Sequence, residues 1–474
     1  MPVSPTTCAG LYCAPGASPA SVQVSVAIDT HGCKLNQADS NLLARQFAEA
    51  GYRLVDSVAE ADVYVLNTCT VTATADAKAR QALNSARRIN PRAFIVAAGC
   101  YPQRAAAELT RLEAVSLVVP NTDKAALVSL VSSARAKLAS SLPMPEGASH
   151  PPAQAPGRKE PPAGTAVLPV AVAGVGRSRA MLKIQEGCNQ VCAYCIVPRV
   201  RGRERSIPPD TLVEQVNRCA QQGFQEVVLT GTQLGTYGFD IPGASLVRLL
   251  QRLLRDTSVP RIRVSSLQPQ EISRELLDLW ADVRLCPHFH VPLQSGSDRV
   301  LKAMRRRYDA VRFAAAVELI RQAMPDAGVT TDLIVGFPGE GDAEFSESRQ
   351  FVRAVGFSDM HIFPYSTRPG TSAAYFRDQR PAAIKRDRVS AMTALAREGF
   401  RAFRRRQLGT ARRVLWESPR ERDGERVWSG LTDNYIRVYT DGGRDLKNTI
   451  TTANLLSLAD DWVYTSIQEV APAE

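Results

Sequence analysis

The sequence predicts a multidomain α/β protein with three folded parts. These are an N-terminal domain on a parallel sheet, a central partial (β/α)6 barrel and a small antiparallel β-barrel at the C-terminus. Three observations support this prediction. Apolar strand-like segments alternate with helical segments in two blocks, a proline-rich stretch divides the blocks, and the tail changes to short strands with Gly, Asp and Asn turns. At 474 residues the chain is also too long for one ordinary core.

The N-terminal block contains three short β-branched segments, at residues 22–28, 63–67 and 93–98. Helix-like stretches such as NQADSNLLARQFAEAGY and DAKARQALNSARRI separate them. Strands that alternate with helices favour a parallel sheet with right-handed crossovers. We therefore predict a domain over residues 22–135, preceded by a disordered extension at residues 1–21.

A flexible linker is predicted over residues 136–178. Eight of the thirty prolines lie between Pro143 and Pro169, mixed with Ala, Gly and Ser. Proline lacks the backbone N–H that helices and sheets need, so this density cannot support either. The N-terminal and central blocks are therefore expected to be separate domains.

The central block, residues 179–403, repeats the β/α alternation. Its six predicted strands lie at residues 181–185, 226–231, 261–266, 288–293, 329–336 and 359–366. Six β/α units are fewer than the eight of a closed barrel, which predicts a partial, open barrel. From residue 404 to 472, stretches such as RRVLWES and ERVWSGLTDNYIRVYT are typical of short strands and predict the terminal β-barrel.

Composition predicts a cytoplasmic monomer with an anionic partner. No apolar run reaches the roughly 18–20 residues of a membrane helix, and the first residues lack the basic and apolar regions of a secretory signal. In the cytoplasm the ten cysteines are not expected to form a disulfide framework. The net charge of +11 makes nucleic acid the favoured partner.

Three cysteines share one loop directly after the first strand of the central block. They are Cys188, Cys192 and Cys195, in the pattern C-x3-C-x2-C. A zinc site would need a fourth Cys or His, and the surrounding loop has none. Thiolates are the usual ligands of iron–sulfur clusters, and three ligands leave one iron of a four-iron cluster free to bind another group. We predict such a cluster at the carboxyl mouth of the barrel.

Three isolated cysteines form a second candidate set. Cys33, Cys69 and Cys100 each follow one of the three predicted strands of the N-terminal domain. Ligands gather at the carboxyl ends of parallel strands, so these thiols are expected to converge. Any one of them alone would be read as a buried structural cysteine, but the shared position predicts a second cluster, again with one open iron.

The C-x3-C-x2-C loop resembles the signature of the radical S-adenosylmethionine (SAM) enzymes. Four later segments resemble the SAM-contacting strands of that superfamily in the same order: LTGTQLG (229–235), RVSSLQP (263–269), PLQSGSD (292–298) and TDLIVGFPGE (331–340). The resemblance implies that the open iron binds SAM and that an electron from the cluster cleaves it to a 5′-deoxyadenosyl radical. It also implies SAM contacts at Gly231, Ser265, Gln294 and Asp332. The superfamily relatives often have an acid where this chain has Gln268, so that residue is assigned no role.

The whole chain resembles the radical SAM methylthiotransferases, and its terminal barrel resembles their RNA-binding TRAM domain. The motif GCKLNQADS, with Lys34 after Cys33, resembles the branch that acts on N6-threonylcarbamoyladenosine in tRNA. The isopentenyladenosine branch has a GCQMN-like motif instead. NTCTVT and HIFPYSTRPGTSA fit the threonylcarbamoyladenosine branch as well.

This resemblance implies a chemistry, its cofactors and its partners. There would be two 4Fe–4S clusters, one on Cys188, Cys192 and Cys195 and one on Cys33, Cys69 and Cys100. One SAM would methylate a sulfur on the second cluster. Another would give the radical that activates C2 of adenosine 37, to which the methylthio group moves. The implied partners are the tRNA anticodon stem-loop and an external electron donor of the flavodoxin or ferredoxin type.

Two basic segments are candidate RNA contacts. Residues 385–413 hold ten Lys or Arg and precede Trp416 and Tyr435, which predicts a phosphate-binding stripe beside a stacking surface. Arg199, Arg201, Arg203 and Arg205, just after the cysteine loop, are expected to meet anticodon-loop phosphates.

Two alternatives stay open at this point. One keeps the enzyme but changes its substrate to isopentenyladenosine 37 or to an aspartate of a ribosomal protein. The other is a different class, a non-catalytic RNA-binding protein with structural zinc, against which the absent fourth ligand argues.

Overall fold

The computed structural model describes residues 23–141, 178–422, 424–441 and 444–468. The predicted N-terminal extension with Cys8 and Cys13, and most of the predicted linker, lie outside these residues. Among the described helices, none has both the length and the apolar composition that crossing a membrane requires.

The N-terminal domain is a parallel α/β sheet, as predicted. Its strands are β1 (Ser25–Thr30), β2 (Arg53–Leu54), β3 (Val63–Thr68), β4 (Phe94–Gly99) and β5 (Leu117–Pro120), in the order β2-β1-β3-β4-β5. Its helices are α1 (Lys34–Glu49), α2 (Ala73–Ile89), α3 (Cys100–Thr110) and α4 (Leu127–Ser141). Helices cover both faces, which is why β3 and β4 are buried along their whole length.

Helix α4 extends past the predicted start of the linker at residue 136. It is held to the sheet by Leu127 and Val131, which are buried in one core with Val119 of β5. Apolar residues at helical spacing thus hold the first half of α4 on the sheet, and the helix itself runs on to Ser141.

The central block contains strands β6 to β13 and helices α5 to α12. The strands are β6 (Arg179–Lys183), β7 (Gln185–Glu186), β8 (Arg205–Ser206), β9 (Glu226–Thr230), β10 (Arg261–Val264), β11 (His288–His290), β12 (Gly328–Val335) and β13 (Asp359–Pro364). The helices are α5 (Val197–Arg201), α6 (Pro209–Gln221), α7 (Leu246–Asp256), α8 (Arg274–Leu277), α9 (Asp298–Ala303), α10 (Ala310–Ala323), α11 (Asp342–Val355) and α12 (Ala382–Gln407).

All six predicted central strands are present and parallel. They form two three-stranded sheets, β6-β9-β10 and β11-β12-β13. Single parallel bridges, Ile262 to Leu285 and Ser266 to His290, join the two sheets. The strands therefore follow one another in chain order as an arc, and within the described chain no pairing joins β6 to β13.

Alternation along these strands separates an apolar outer face from a polar inner one. Val227, Leu229 and Ile262 pack in the main core with the leucines of α7. The intervening residues face the inside of the arc, where Arg263 donates to Glu226 over 2.8 Å. Polar groups thus line the concave side.

The C-terminal strands close into a barrel. They are β14 (Ala411–Arg422), β15 (Glu425–Thr432), β16 (Arg437–Asp441), β17 (Ile450–Ala459) and β18 (Trp462–Ile467), in the closed order β14-β15-β16-β18-β17. Four of the five pairings are antiparallel, but β16 and β18 pair in parallel, so the predicted all-antiparallel arrangement is wrong at that seam. The β17–β18 hairpin returns its second strand beside β16 in the same direction.

Candidate cluster-binding site

The first cysteine loop is a tight turn between β7 and α5. Cys188 N–H donates to the carbonyl of Gly202 over 3.1 Å, and Cys195 N–H donates to that of Cys192 over 3.1 Å. Gly187, at φ +79°, is required before the loop, because a Cβ there would lie 1.9 Å from the carbonyl oxygen of Arg203. The backbone thus curls so that the three thiols share one site.

Polar contacts surround these sulfurs. Gln190 N–H donates to Cys188 Sγ over 3.3 Å, and Arg306 Nη1 donates to Cys192 Sγ over 3.3 Å. Burial, and then the charges of Cys192 and Cys188, raise the pKa of Cys195 to about 12. The site therefore favours thiols until a positively charged group arrives to stabilise the thiolates.

The second triad lies at one edge of the N-terminal sheet. Cys33 stands between β1 and α1, Cys69 directly follows β3, and Cys100 opens α3 after β4. Since β1, β3 and β4 are adjacent and parallel, their carboxyl ends bring the three cysteines together. Burial, and then the charges of Cys33 and Cys100, raise the pKa of Cys69 to about 12.

A close backbone approach supports this convergence. Gly32 has φ +128°, and a Cβ at that position would lie 2.6 Å from Cys69 Cβ. Only glycine lets the β1–α1 turn pass so near the end of β3.

The sulfurs of neither triad lie as close together as the ligands of a single metal ion. In a zinc site, bonds of about 2.3 Å hold neighbouring sulfurs roughly 4 Å apart. Among the described residues, the only three side chains whose ligand atoms all lie within 4.8 Å of one another are His290, Asp332 and His361. Neither cysteine triad is that compact, and all six thiols of the two triads are free of disulfide bonds. Three thiolates at wider spacing are the donor set of an iron–sulfur cluster.

The two triads are fixed relative to each other through α5. Cys100 packs in a small buried cluster with Ile196 and Val200. Asn121 Nδ2 donates to Cys100 Sγ over 3.3 Å and to the carbonyl of Val200 over 2.7 Å. The second triad therefore lies against the helix that begins directly after the first.

An ion-pair network closes this interface. Arg201 Nη1 donates to Glu186 Oε1 over 2.7 Å and to Asp39 Oδ2 over 3.2 Å, and its Nη2 donates to Asn36 Oδ1. Burial opposes the charge on Asp39, but Lys124, Lys183 and Arg201 hold the pKa of that carboxyl well below its ordinary value.

The predicted RNA contact at Arg201 is wrong, because its guanidinium is buried between the two domains. Arg199, Arg203 and Arg205 remain exposed.

A second link joins the end of β13 to the NTCT segment. Arg368 Nη1 donates to Asp76 Oδ2 over 2.6 Å and to the carbonyl of Thr70 over 3.2 Å. Arg104 also pairs with Asp76, at 3.0 Å. The loop that carries Cys69 is thereby tied to the central block.

The residues predicted to contact SAM surround the mouth of the arc. Gly231 and Ser265 directly follow β9 and β10, and a Cβ on Gly231 would lie 3.0 Å from the carbonyl oxygen of Gln185. Gln294 takes φ +68°, and its N–H donates to the carbonyl of Asp332 over 2.8 Å. The first three therefore share the edge that holds the first cysteine loop, whereas the Asp332 side chain lies inside the arc.

Sequence reasoning missed two features here. Arg306 also donates to Gln268 Oε1, which brings the unassigned glutamine beside Cys192. Inside the arc, Asp332 accepts from His290 and His361, at 3.1 Å each. The alternation of His288 and His290 on one strand was a signal, but only the register of β12 with β13 places His361 opposite Asp332.

The predicted stacking surface of the terminal barrel is wrong. Trp416 is fully buried in the barrel core, and Tyr435 stacks on His288 with ring centroids 4.0 Å apart. Arg388 and Arg404 of the basic stripe are also buried. The stripe residues that stay exposed on α12 are Arg386, Arg397, Arg401, Arg405 and Arg406.

Family models match two parts of the chain: the uncharacterized protein family UPF0004 over residues 25–120, and the radical SAM superfamily over residues 182–352. The threonylcarbamoyladenosine tRNA methylthiotransferase MtaB of Aquifex aeolicus is 38% identical, over 89% of this chain and 98% of its own length. MtaB of Bacillus subtilis is 36% identical, over 91% and 94%. The tRNA-2-methylthio-N6-dimethylallyladenosine synthase of Syntrophobacter fumaroxidans is 33% identical, over 86% and 88%.

A solved structure shares the fold. The radical SAM methyltransferase TsrM of Kitasatospora setae, with cobalamin and a 4Fe–4S cluster bound, superposes with a TM-score of 0.53. It is 17% identical, and the match covers 74% of this chain and 77% of TsrM. At this identity the likeness concerns the fold.

Proposed function

The chain belongs to the radical SAM methylthiotransferases, enzymes that transfer a sulfur-containing group to tRNA, and we propose that its acceptor is C2 of N6-threonylcarbamoyladenosine 37. Two relatives named for that nucleoside match nearly all of their length, at 38% and 36% identity. The GCKLNQ motif at residues 32–37 supports the same branch.

We further propose that each cysteine triad holds one 4Fe–4S cluster. The radical SAM family implies the first, on Cys188, Cys192 and Cys195, with SAM at its open iron. The second, on Cys33, Cys69 and Cys100, is supported by three thiols at adjacent strand ends, too widely spaced for one metal ion. The packing of Cys100 against Val200 of α5 is the single observation that supports the proposal, because it would bring the proposed sulfur site beside the proposed radical site.

Such an arrangement answers a chemical need. The C2–H bond of adenine has no useful acidity, so acid–base catalysis cannot activate it. When bound, the first cluster and SAM supply a 5′-deoxyadenosyl radical, which can. The protein must then hold the sulfur donor near the activated carbon, and Asn121 and Arg201 fix that separation by bonding across the interface.

The residues around the mouth would bind and orient SAM. Gly231, packed against Gln185, and Gln294, in a left-handed turn, would frame the ligand at the strand ends. Ser265 offers a hydroxyl at the same edge, and Asp332 offers a carboxylate whose position two histidines fix.

The tRNA anticodon stem-loop is the proposed macromolecular partner, and a small electron-transfer protein the proposed reductant. The exposed arginines of α12 and those after the cysteine loop would bind phosphates. The proposed domains are the cluster domain at 22–135, the radical SAM core at 179–403 and a TRAM-like RNA-binding domain at 404–472.

Mass spectrometry of tRNA nucleosides tests the proposal. A strain that lacks the gene should lose 2-methylthio-N6-threonylcarbamoyladenosine, and wild type should restore it, whereas Cys192→Ala should not. Purified, reconstituted wild type should hold about eight iron per chain. Unaltered nucleosides in the deletion strain would refute the function, and loss of the isopentenyl nucleoside instead would move it to the other tRNA substrate.

A further inference from the structure

Lys34 points into the concave side of the central arc without an anionic partner. It is the first residue of α1, next to Cys33, and its Nζ lies 5.9 Å from the centre of the Tyr435 ring. In the described part of the chain, no carboxylate lies within ion-pair distance of this half-buried ammonium, and no hydrogen bond to it is present.

The acid near Lys34 is already engaged. Asp332 uses one oxygen for His290 and the other for His361. The guanidinium of Arg263 lies 5.1 Å from the centre of the same Tyr435 ring, so a second cation stands near Lys34.

Lys34 is itself partly exposed, as are its neighbours. The side chain of His361 is 61% exposed, that of Asp332 is 27% exposed, and Cys33 is exposed. Tyr435 is held as a flat wall by its stack on His288, and the two ring planes differ by 4°. Lys34 and Tyr435 therefore form a partly exposed corner beside the second cysteine triad.

An unpaired, half-buried ammonium beside a second cation is destabilising, and a ligand anion relieves that effect. We propose that Lys34, with the Tyr435 ring as a wall, is the subsite for the carboxylate of the threonylcarbamoyl group. This inference rests on the proposed function. Atoms C2 and N6 of adenine both lie on the Watson–Crick edge, so an N6 substituent bound at Lys34 keeps C2 near the cluster that Cys33 would ligate.

The subsite predicts discrimination by charge. An ammonium is a compact point charge that forms strong hydrogen bonds to a carboxylate. A nucleoside with a neutral N6 substituent would leave Lys34 unpaired. We expect about a tenfold to a hundredfold weaker binding of such an RNA.

Fluorescence anisotropy with reconstituted full-length protein tests this subsite. The probes are three synthetic anticodon stem-loops, which carry at position 37 threonylcarbamoyladenosine, its carboxyl methyl ester, or adenosine. Wild type should bind the acid at least about tenfold more tightly than the ester. Lys34→Met, which keeps the length and removes the charge, should bind all three alike, and Lys34→Arg should recover part of the preference.

Lys78→Met is the matched control, because this exposed lysine lies on α2 and borders neither Tyr435 nor the arc. It should retain the wild-type preference. Iron content and the electron paramagnetic resonance spectrum establish that each variant holds its clusters.

The outcomes separate the two proposals. If wild type binds the acid and adenosine equally well, the proposed substrate is wrong. If wild type prefers the acid to adenosine but binds the ester as tightly as the acid, the carboxylate subsite is wrong, and this result needs no variant. If Lys34→Met with intact clusters keeps the full preference, the carboxylate binds elsewhere.

Discussion

The guanidinium of Arg306 holds a positive charge beside a sulfur of the first cysteine loop. Its Nη1 donates to Cys192 Sγ, while the rest of the guanidinium is held by Tyr308 Oη, at 3.1 Å, and by Gln268. Such a charge favours the reduced, more negative state of a bound cluster.

Replacing Arg306 by Met should therefore lower the reduction potential of that cluster, by on the order of 50 mV. A redox titration followed by electron paramagnetic resonance measures the shift, with Arg306→Lys as the control that retains the charge. A potential equal to that of wild type in Arg306→Met would show that the guanidinium serves packing alone.

The position of single residues in the fold was predictable where spacing along the chain determines it. The loop spacing of Cys188, Cys192 and Cys195 is local, and the other three cysteines each follow a recognisable strand. Prediction failed for Trp416, whose burial depends on which face of a barrel strand turns inward. The contact of Arg306 was not predictable, because the partner Cys192 is 114 positions away.

At the scale of elements, one acid on β9 joins the central arc to the terminal barrel. Glu226 pairs with Arg261 and Arg263 of β10, and these arginines donate to the carbonyls of Leu431 and Thr432 of β15. The acid thus neutralises two guanidiniums that are otherwise buried at a domain junction.

Removing this acid should destabilise the protein. Burial opposes the charge of Glu226, but Arg263 and Arg261 lower its pKa from 4.5 to about 2. That shift corresponds to roughly 3 kcal/mol of stability at neutral pH. Because the folded pKa is depressed, this contribution is complete above about pH 5 and is lost as the pH falls towards 2.

We expect Glu226→Gln to lower the free energy of unfolding by about 3 kcal/mol or more at pH 7, and by less near about pH 3. Urea unfolding followed by tryptophan fluorescence measures both values. Asp210→Asn, which breaks an exposed ion pair with Arg252, is the control and should change stability by under about 1 kcal/mol. Equal losses at both pH values would contradict the electrostatic origin.

The elements themselves were largely predictable from apolar periodicity. All six central strands and the three main N-terminal strands lie where β-branched segments alternate with helical ones. The parallel seam of β16 with β18 was not predictable, because strand partners in a barrel depend on closure between distant segments. Nor was the end of α4 at Ser141, six residues into the predicted linker.

At the scale of the whole molecule, the two cysteine triads can cooperate only if the N-terminal domain stays docked on the central block. Buried ion pairs at Asp39 fix that docking, and they join residues 85 to 162 positions apart. No sequence pattern signals pairs at such separations. A proline-rich linker predicts two domains, but it does not predict the surfaces through which they meet.

Asp39→Asn should therefore uncouple the two halves of the proposed reaction. Asp39 is 2.7 Å from Lys183, 3.0 Å from Lys124 and 3.2 Å from Arg201, so its neutralisation leaves three cations at the interface with Glu186 as the remaining carboxylate partner. The Cys188–Cys195 loop is intact in this variant, so SAM cleavage should continue, but sulfur transfer should fall at least about tenfold as the domains separate. The measurement is the ratio of methylthio nucleoside to 5′-deoxyadenosine, with iron content determined in parallel and Asp210→Asn as the matched surface control. Equal loss of both products would mean that Asp39 supports the radical site itself, and an unchanged ratio would mean that docking does not depend on this carboxylate.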